Sequence, residues 1–183
     1  MNLLFATGSD RKLAEASAAC EPLGINVEQT KLEITEIQSE DPMIITEHKI
    51  SEAYRLAQKP IVVTDTSWSI PSLNGFPGGY MKDICGWFKP NDFLALMSDK
   101  SDKRISFTET IIYKDKNLTK VFAKQYWGEV ASAPAGTGNS IEVVAQFDGF
   151  TIGQRRDKGE LSHDPKDYIW NDFATWYASL SAE

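Results

Sequence analysis

Residues 1–15 read MNLLFATGSDRKLAE, and this stretch predicts a buried strand, a sharp turn and the start of a helix. The apolar run Leu3–Ala6 is long enough for a strand, and Gly8 allows the chain to turn directly after it. Ser9 or Asp10 can cap the helix that follows. The apolar face of that helix recurs at helical spacing, at Leu13, Ala16, Cys20 and Leu23.

A strand that leads through a glycine turn into a helix can bind an anion, because free N–H groups and the positive end of the helix dipole converge there. Arg11 and Lys12 add cations to the first helical turn, where they oppose the dipole, so a bound anion would stabilise them. The alternative is that both are solvated surface residues. The stretch matches neither the P-loop nor the dinucleotide-binding pattern, so it predicts phosphate binding without identifying the compound.

Length, composition and charge restrict the class of protein. The 183 residues are 42% hydrophobic and 25% charged, which is typical of a globular chain and predicts one domain over residues 1–183. The net charge of -7 argues against a nucleic-acid-binding protein, which needs a basic face. An acidic protein still binds a polyphosphate where a few cations converge and a divalent metal assists.

The sequence predicts a protein that works away from membranes. No stretch is apolar over the length of a membrane span, and Met1 leads into a short apolar run without a basic flank, so we expect no signal peptide. Cys20 and Cys85 are far apart and are expected to be reduced thiols, with Cys20 in the core. These features predict a cytoplasmic location.

Helix and strand patterns that alternate, followed by a hairpin, predict an α/β fold with a mixed sheet. Asp41 and Pro42 indicate the start of a second helix, which ends before Pro60. The other predicted elements are a strand at Ile61–Val63, a loop over residues 71–79, a short helix from Pro90, strands at Arg104–Tyr113 and Leu118–Glu129, a loop at Ala133–Asn139, a strand at Glu142–Phe147 and a helix from Pro165 to about Leu180.

A second polar segment, Thr64-Asp65-Thr66-Ser67, follows the predicted strand Ile61–Val63. Ligands of open α/β sheets bind beyond the carboxyl ends of strands, so Asp65 is expected near the anion-binding turn. Mg²⁺ would relieve the repulsion between carboxylate and phosphate, because it binds one or two carboxylates together with phosphate oxygens. The alternative for Asp65 is a turn or a helix cap. A second carboxylate can come from the acidic run Glu33, Glu36, Glu40 and Asp41.

Several segments, in the same order along the chain, resemble the motifs of one known family. They are ATGSDRKLAE from Ala6, ITEIQS from Ile34, VVTDTS from Val62, LNGFPGGYMK from Leu73 and, more weakly, DKGELSH from Asp157. The sequence is similar to the inosine triphosphate pyrophosphatase family, the Ham1-like XTP/dITP pyrophosphatases that remove deaminated purine nucleotides. The resemblance is strong over residues 3–82 and thinner beyond them.

The resemblance implies a fold, an assembly and a reaction. The fold is an elongated mixed sheet flanked by helices, with two lobes and a central cleft, and the assembly is a homodimer. The reaction is the Mg²⁺-dependent cleavage of a nucleoside triphosphate, including non-standard purines, between its α and β phosphates. The products are the monophosphate and pyrophosphate.

The resemblance also implies roles for individual residues. Glu36 and Asp65 would hold the metal, and Asp65 would help to activate water. Lys12, Lys49 and Lys158 would absorb the charge that develops on the leaving pyrophosphate. The residues implied to cradle the triphosphate are Thr7, Gly8, Ser9, Asp10, Arg11 and Lys12. Those implied to hold phosphate or sugar are Lys49, Thr66, Lys82 and Lys158, while His163 would approach the base.

The sequence departs from the family pattern at several points. Ser9 stands for the usual Asn, and Thr64 stands for an acidic residue beside the metal-binding Asp. The aromatic base platform is absent, since the corresponding region reads Asn139–Val143, and Asp164 replaces the Arg that usually follows His163. An ionised Asp only accepts hydrogen bonds, so Asp164 would suit a base that presents N–H groups.

Two alternatives stay open at this point. Asp164 precedes Pro165 and can simply cap the final helix. The whole chain can also be a nucleotide-binding regulatory module of the same fold with little turnover, an alternative that Thr64 and the missing platform favour. The retained set of Glu36, Asp65 and the lysines favours the enzyme, since a binding module needs no geometry for metal and water.

Overall fold

The strands of this protein form one mixed sheet in the computed structural model, which describes residues 1–160 and 164–180. The strands are β1 (Asn2–Ala6), β2 (Asn26–Thr30), β3 (Ile61–Ile70), β4 (Phe76–Gly78), β5 (Arg104–Lys114), β6 (Thr119–Val130), β7 (Ala145–Phe147) and β8 (Phe150–Thr151). The α-helices are α1 (Asp10–Cys20), α2 (Pro42–Ala57), α3 (Met81–Trp87), α4 (Pro90–Met97), α5 (Ile152–Asp157) and α6 (Ile169–Ser179). Single 3₁₀ turns lie at Glu21–Leu23, Pro71–Leu73 and Pro165–Asp167.

The strand order is β2-β1-β3-β5-β6-β7-β8, and β4 pairs with β3. β1 runs parallel to both β2 and β3, whereas β4 is antiparallel to β3, and β7 is antiparallel to β6 and β8. The predicted α/β fold with a mixed sheet and flanking helices is therefore confirmed. No helix in the described ranges is long and apolar enough to cross a membrane.

The chain divides into two compact units. The first contains residues 1–66, 109–124 and the described residues from 164 onward. The second contains residues 67–108 and the described residues from 125 to 160. Strands β3, β5 and β6 each contribute residues to both units.

In the first unit, alternation along β1 sends side chains to opposite faces of the sheet. Leu4 and Ala6 pack in a cluster with Ile50 of α2, while the Phe5 ring lies 5.0 Å from that of Trp170 on α6. The aromatic face of α6 is thus largely core, and Cys20 is buried and free, as predicted. In the second unit, a separate core forms around an aromatic group, Trp68, Phe107, Phe147 and Phe93.

Several predicted elements are confirmed. The first strand and helix, the helix after Asp41, the helix at Pro90 and both long strands are present. Asp41 caps α2 by accepting from the N–H of Met43 at 2.8 Å. The turn between β5 and β6 is held by Asp115, whose carboxylate accepts from the N–H groups of Asn117 and Leu118.

The strand predicted at Ile61–Val63 is too short. β3 continues to Ile70, so the polar segment from Thr64 to Ser67 lies within a strand and not after one. The extension follows from its partners: β3 pairs with β1 at Val62 and then with β4 from Trp68 onward. β1 has ended by then, so Asp65 still lies beyond the end of the neighbouring strand.

Two predictions in the second unit are also wrong. The loop predicted over residues 71–79 contains β4, because Asn74 and Gly75 at positive φ make only a tight turn and Phe76 then pairs with Ile70. The strand predicted at Glu142–Phe147 begins only at Ala145. Asn139 explains this difference, since its side-chain oxygen accepts from the N–H of Glu142 and closes a turn.

In the first unit, the start of the final helix and the end of the first helix differ from prediction. The final helix begins at Ile169, because Asp164 closes only one 3₁₀ turn and Tyr168 is extended. Leu23 lies in a 3₁₀ turn and is 47% exposed, so it does not belong to the buried face of α1. β2, α3, β8 and α5 were not predicted from the sequence.

Candidate active site

The turn after β1 forms the predicted helix N-terminus. Ser9 is the N-cap, and its hydroxyl accepts from the N–H of Lys12 at 3.4 Å. The hydroxyl of Thr7 accepts from the N–H of Ser9 at 3.1 Å, which fixes the turn around Gly8. The start of an eleven-residue helix thus presents polar groups and the positive end of its dipole at this point.

Two lysines converge next to this turn. Lys12 of α1 and Lys49 of α2 both donate to the backbone carbonyl of Thr64, at 3.4 and 3.3 Å. Burial, and to a smaller extent the nearby Lys49 ammonium, lowers the pKa of Lys12 to about 8, while Asp65 and Glu109 oppose the shift. Two ammonium groups at one neutral oxygen leave positive charge that a bound anion would stabilise.

The two predicted metal ligands lie on either side of one of these lysines. Lys49 Nζ is 3.8 Å from a carboxylate oxygen of Glu36 and 3.9 Å from one of Asp65. Glu36 comes from the irregular segment before α2, and Asp65 comes from β3. The structure therefore brings both carboxylates to the same ammonium group.

This donor set fits Mg²⁺ bound together with phosphate. Within residues 1–160 and 164–180, no cluster of three or more His, Cys, Asp or Glu side chains could bind a metal by itself. Mg²⁺ is usually held by one or two carboxylates plus substrate phosphates and water, so Glu36 and Asp65 match that mode of binding.

A cavity of about 280 Å³ joins the turn and the lysines. Its lining residues are Ala6, Thr7, Gly8, Ser9, Lys12, Lys31, Leu32, Ile34, Glu36 and Lys49. Three lysines and one carboxylate give this cavity a net positive charge in a protein whose overall charge is -7. An anionic ligand therefore suits the cavity.

Thr66 has a buried polar group that could bind a ligand or water. Its hydroxyl is buried and makes no hydrogen bond with the part of the chain that the structure describes. A buried hydroxyl without a partner is costly, so this group can donate to a ligand or to water at low cost to the fold. Thr66 follows Asp65 directly on β3.

Arg11 and Asp10 do not line the cavity. The guanidinium of Arg11 lies 2.6 Å from the carboxylate of Glu15, one turn further along α1. Asp10 is exposed in the first turn of the helix, where its charge suits the dipole. Their predicted contact with phosphate stays a prediction.

The remaining predicted site residues lie elsewhere in the chain. Lys82 is in α3 of the second unit, and Lys158 follows α5 there, with its ammonium 3.7 Å from the centre of the Phe150 ring. Asp164 accepts from the N–H of Lys166 at 3.0 Å, the capping contact that its alternative interpretation expects. His163 lies outside the described residues.

Sequence reasoning missed two charged residues of this region. Lys31 lines the cavity, and the alternation of Leu32 and Ile34 with polar residues was a signal for a segment with one inward face. Glu109 is buried on β5, and burial raises its pKa to about 7, with a smaller contribution from Glu15. Glu109 alternates with Ile105, Phe107, Ile111 and Tyr113, so its place on the apolar face of the strand was the signal there.

Comparison with known proteins identifies the family. A model of the Ham1 family matches residues 3–164. The dITP/XTP pyrophosphatase of Thermococcus kodakarensis is 27% identical over 181 residues, covering 96% of this chain and 97% of that protein. Inosine triphosphate pyrophosphatase 2 of Trypanosoma cruzi is 29% identical, covering 88% and 85%.

The fold agrees with the same family. A solved Ham1 protein from Coxiella burnetii superposes with a TM-score of 0.76 at 18% identity, covering 98% of this chain and 99% of that one. Because the family model spans most of the sequence, the chain belongs to the Ham1 family.

Proposed function

We propose that this protein is a metal-dependent nucleoside triphosphate pyrophosphatase, which hydrolyses its substrate to the monophosphate and pyrophosphate. The names of the relatives, dITP/XTP pyrophosphatase and inosine triphosphate pyrophosphatase, support this reaction class. The observation that carries the proposal is the meeting of the β1–α1 turn, Lys12, Lys49 and Glu36 at one cavity, with Asp65 beside Lys49.

Different residues of the chain bind the substrate, stabilise the developing charge and orient the attacking water. The turn around Gly8 and the helix N-terminus bind phosphate oxygens, and the Thr66 hydroxyl donates to the substrate. Lys12 and Lys49 stabilise the charge that develops on the leaving pyrophosphate, because preorganised cations act most strongly on charge that appears in the transition state. Asp65 accepts the proton of the attacking water and so orients it.

Glu36 and Asp65 would hold a divalent metal, which we propose is Mg²⁺. When bound, the metal supplies charge neutralisation for the phosphates and lowers the pKa of bound water. The single charge of Lys49 balances only one of these two carboxylates, so a divalent metal would supply the charge that the pair still needs.

The finer parts of the proposal concern substrate and assembly. We propose a preference that includes non-standard purines such as those of ITP and XTP, because the relatives carry those names. Binding through Lys82, Lys158, His163 and Asp164, a homodimer and a cytoplasmic location stay predictions.

The test is pyrophosphate release from a panel of ATP, GTP, ITP, XTP and dITP, with Mg²⁺ and with a chelator. We expect release from at least one of these triphosphates, which the chelator abolishes. Triphosphate binding without release from any of them would favour the nucleotide-binding module instead.

Variants make this test specific to the metal site. Asp65→Asn and Glu36→Gln should abolish most of the release, because each removes a charge that holds the metal but keeps the shape of the side chain. Glu33→Gln is the matched control, since Glu33 is an exposed residue of the same segment and does not line the cavity. Equal rates for Glu36→Gln and Glu33→Gln would contradict the proposed role of Glu36.

A further inference from the structure

The proposed reaction uses two of the three lysines that line the cavity and leaves Lys31 without a role. Lys12 and Lys49 both donate to the backbone carbonyl of Thr64. Lys31 lines the same cavity but makes no hydrogen bond or ion pair with the part of the chain that the structure describes. Its ammonium group is therefore free to bind a ligand.

The backbone on both sides of Lys31 is fixed to the rest of the first unit. Thr30, the last residue of β2, lies opposite Ala6 of β1, and its carbonyl accepts from the N–H of Thr7 at 3.1 Å. On the other side, Leu32 packs against the buried cluster that contains Ala6. Lys31 is thus held next to the β1–α1 turn.

The strand order places Lys31 and Asp65 on opposite sides of that turn. β1 lies between β2 and β3 and runs parallel to both. Lys31 follows the end of β2, whereas Asp65 lies on β3, next to the Thr64 carbonyl at which Lys12 and Lys49 meet. Neighbouring strands are about 4.8 Å apart, so β2 and β3 are separated by about 10 Å.

A linear chain of phosphates suits this arrangement. The phosphate that is attacked belongs at the β3 side, because Glu36 and Asp65 would hold the metal there. The other phosphates then extend over the β1–α1 turn, past Lys12 and toward β2. A hydrogen bond from an ammonium group to a phosphate oxygen is charge-assisted and strong, so Lys31 offers a binding group at the far end of this path.

We propose that Lys31 is a specificity-determining residue, which binds the terminal phosphate of the substrate and so favours triphosphates over diphosphates. A triphosphate held by the metal at the β3 side reaches Lys31, whereas a diphosphate held in the same way does not. The inference rests on the proposed function, because it takes the cavity to be the phosphate site and takes Glu36 and Asp65 to be the metal ligands.

The test measures the dissociation constants of the methylene-bridged analogues of inorganic triphosphate and pyrophosphate, which resist hydrolysis, in the presence of Mg²⁺. The proteins compared are the wild type, Lys31→Ala, Lys31→Arg, Lys12→Ala and Lys59→Ala. Arg keeps the positive charge at position 31. Lys59 is an exposed lysine of the same unit that does not line the cavity, so Lys59→Ala removes the same charge elsewhere.

We expect Lys31→Ala to weaken binding of the triphosphate analogue about tenfold and to change binding of the pyrophosphate analogue by less than about twofold. The loss lies at the low end for a hydrogen bond to a charged group, because Lys31 is exposed to water. Lys31→Arg should keep most of the triphosphate affinity, and Lys59→Ala should bind both analogues like the wild type. Lys12→Ala should bind both analogues more weakly, because Lys12 lies at the β3 side.

Three results with Lys31→Ala overturn the inference: unchanged affinity for the triphosphate analogue, equal losses for the two analogues, or a loss that Lys59→Ala matches. The wild type separates these results from a failure of the proposed function. Wild-type protein that binds the triphosphate analogue shows that the phosphate site exists, whatever the Lys31 variants do. Wild-type protein that binds neither analogue contradicts the proposed function, and the inference with it.

Discussion

Replacing Glu109 by Gln should stabilise the folded protein at neutral and alkaline pH and leave its stability nearly unchanged in acid. The folded-state pKa of Glu109 is about 7, against an ordinary value of 4.5 for the unfolded chain. Between these values the unfolded chain releases a proton that the folded protein keeps. The wild type therefore loses stability as pH rises through this window, and Gln removes the loss.

The magnitude follows from the same two values. The full difference corresponds to about 3 kcal/mol in the free energy of unfolding above pH 7, and it vanishes below the ordinary pKa of Glu. The attraction of Arg11 and Lys12 to the carboxylate is already included, because it opposes the shift in pKa. Few single substitutions stabilise a protein by this amount.

Urea unfolding at about pH 5 and at about pH 8 checks this prediction. The gain of Glu109→Gln over the wild type should be larger by about 2 to 3 kcal/mol at the higher pH. Glu28→Gln, which removes the same charge from an exposed strand position, should show no comparable change. A gain that is the same at both pH values would refute the reasoning, because a pH-independent effect cannot come from ionisation of Glu109.

Three further predictions concern the ligand. Lys12→Ala should weaken triphosphate binding by about 1.5–3 kcal/mol, the range for hydrogen bonds to charged groups, as measured by calorimetry. Lys59→Ala, at an exposed position outside the cavity, should bind triphosphate like the wild type, and equal losses in the two variants would place Lys12 away from the phosphates. Thr66→Val should lower triphosphate affinity and leave thermal stability nearly unchanged, because the hydroxyl has no partner in the described part of the chain to lose. Asp164→Arg should raise kcat/KM for ITP or XTP about tenfold relative to ATP, because Arg donates to the oxygens of those bases. Unchanged ratios with a lower Tm would show that Asp164 acts only as the cap of its turn.

The β1–α1 turn could be predicted because its signals are local. A short apolar run, a glycine and a capping serine lie within a few residues of each other, and each has the same meaning in any fold. The helix cap at Asp41 and the Asx turn at Asp115 are of the same kind. The extent of β3 could not be predicted this way, because a polar segment becomes a strand only through its place in the sheet. Here β3 lies between β1 and β5 and pairs with β4 from Trp68 onward.

The same distinction applies to the candidate site: its residues could be identified from the sequence, but their contacts could not. The sequence identified Lys12, Glu36, Lys49 and Asp65 as candidates, mainly through the family resemblance, and the structure brings them together. It could not show that Arg11 turns to Glu15, because a cation in a first helical turn has several partners within reach. Nor could it show that Glu109 comes within electrostatic range of Lys12, since that depends on the place of β5 in the sheet.

Thr64 and Glu109 are far apart in the sequence, but both affect the charge near Lys12. Thr64 stands where the family resemblance leads us to expect an acidic residue, so one fixed negative charge beside Asp65 is missing. Its carbonyl accepts from both lysines, but a carbonyl neutralises neither of them. Glu109 supplies a negative charge to Lys12 from the neighbouring strand β5. A fixed carboxylate at Thr64 would stay charged at every pH above its own low pKa, whereas burial raises the pKa of Glu109 to about 7, so Glu109 loses its charge near neutral pH.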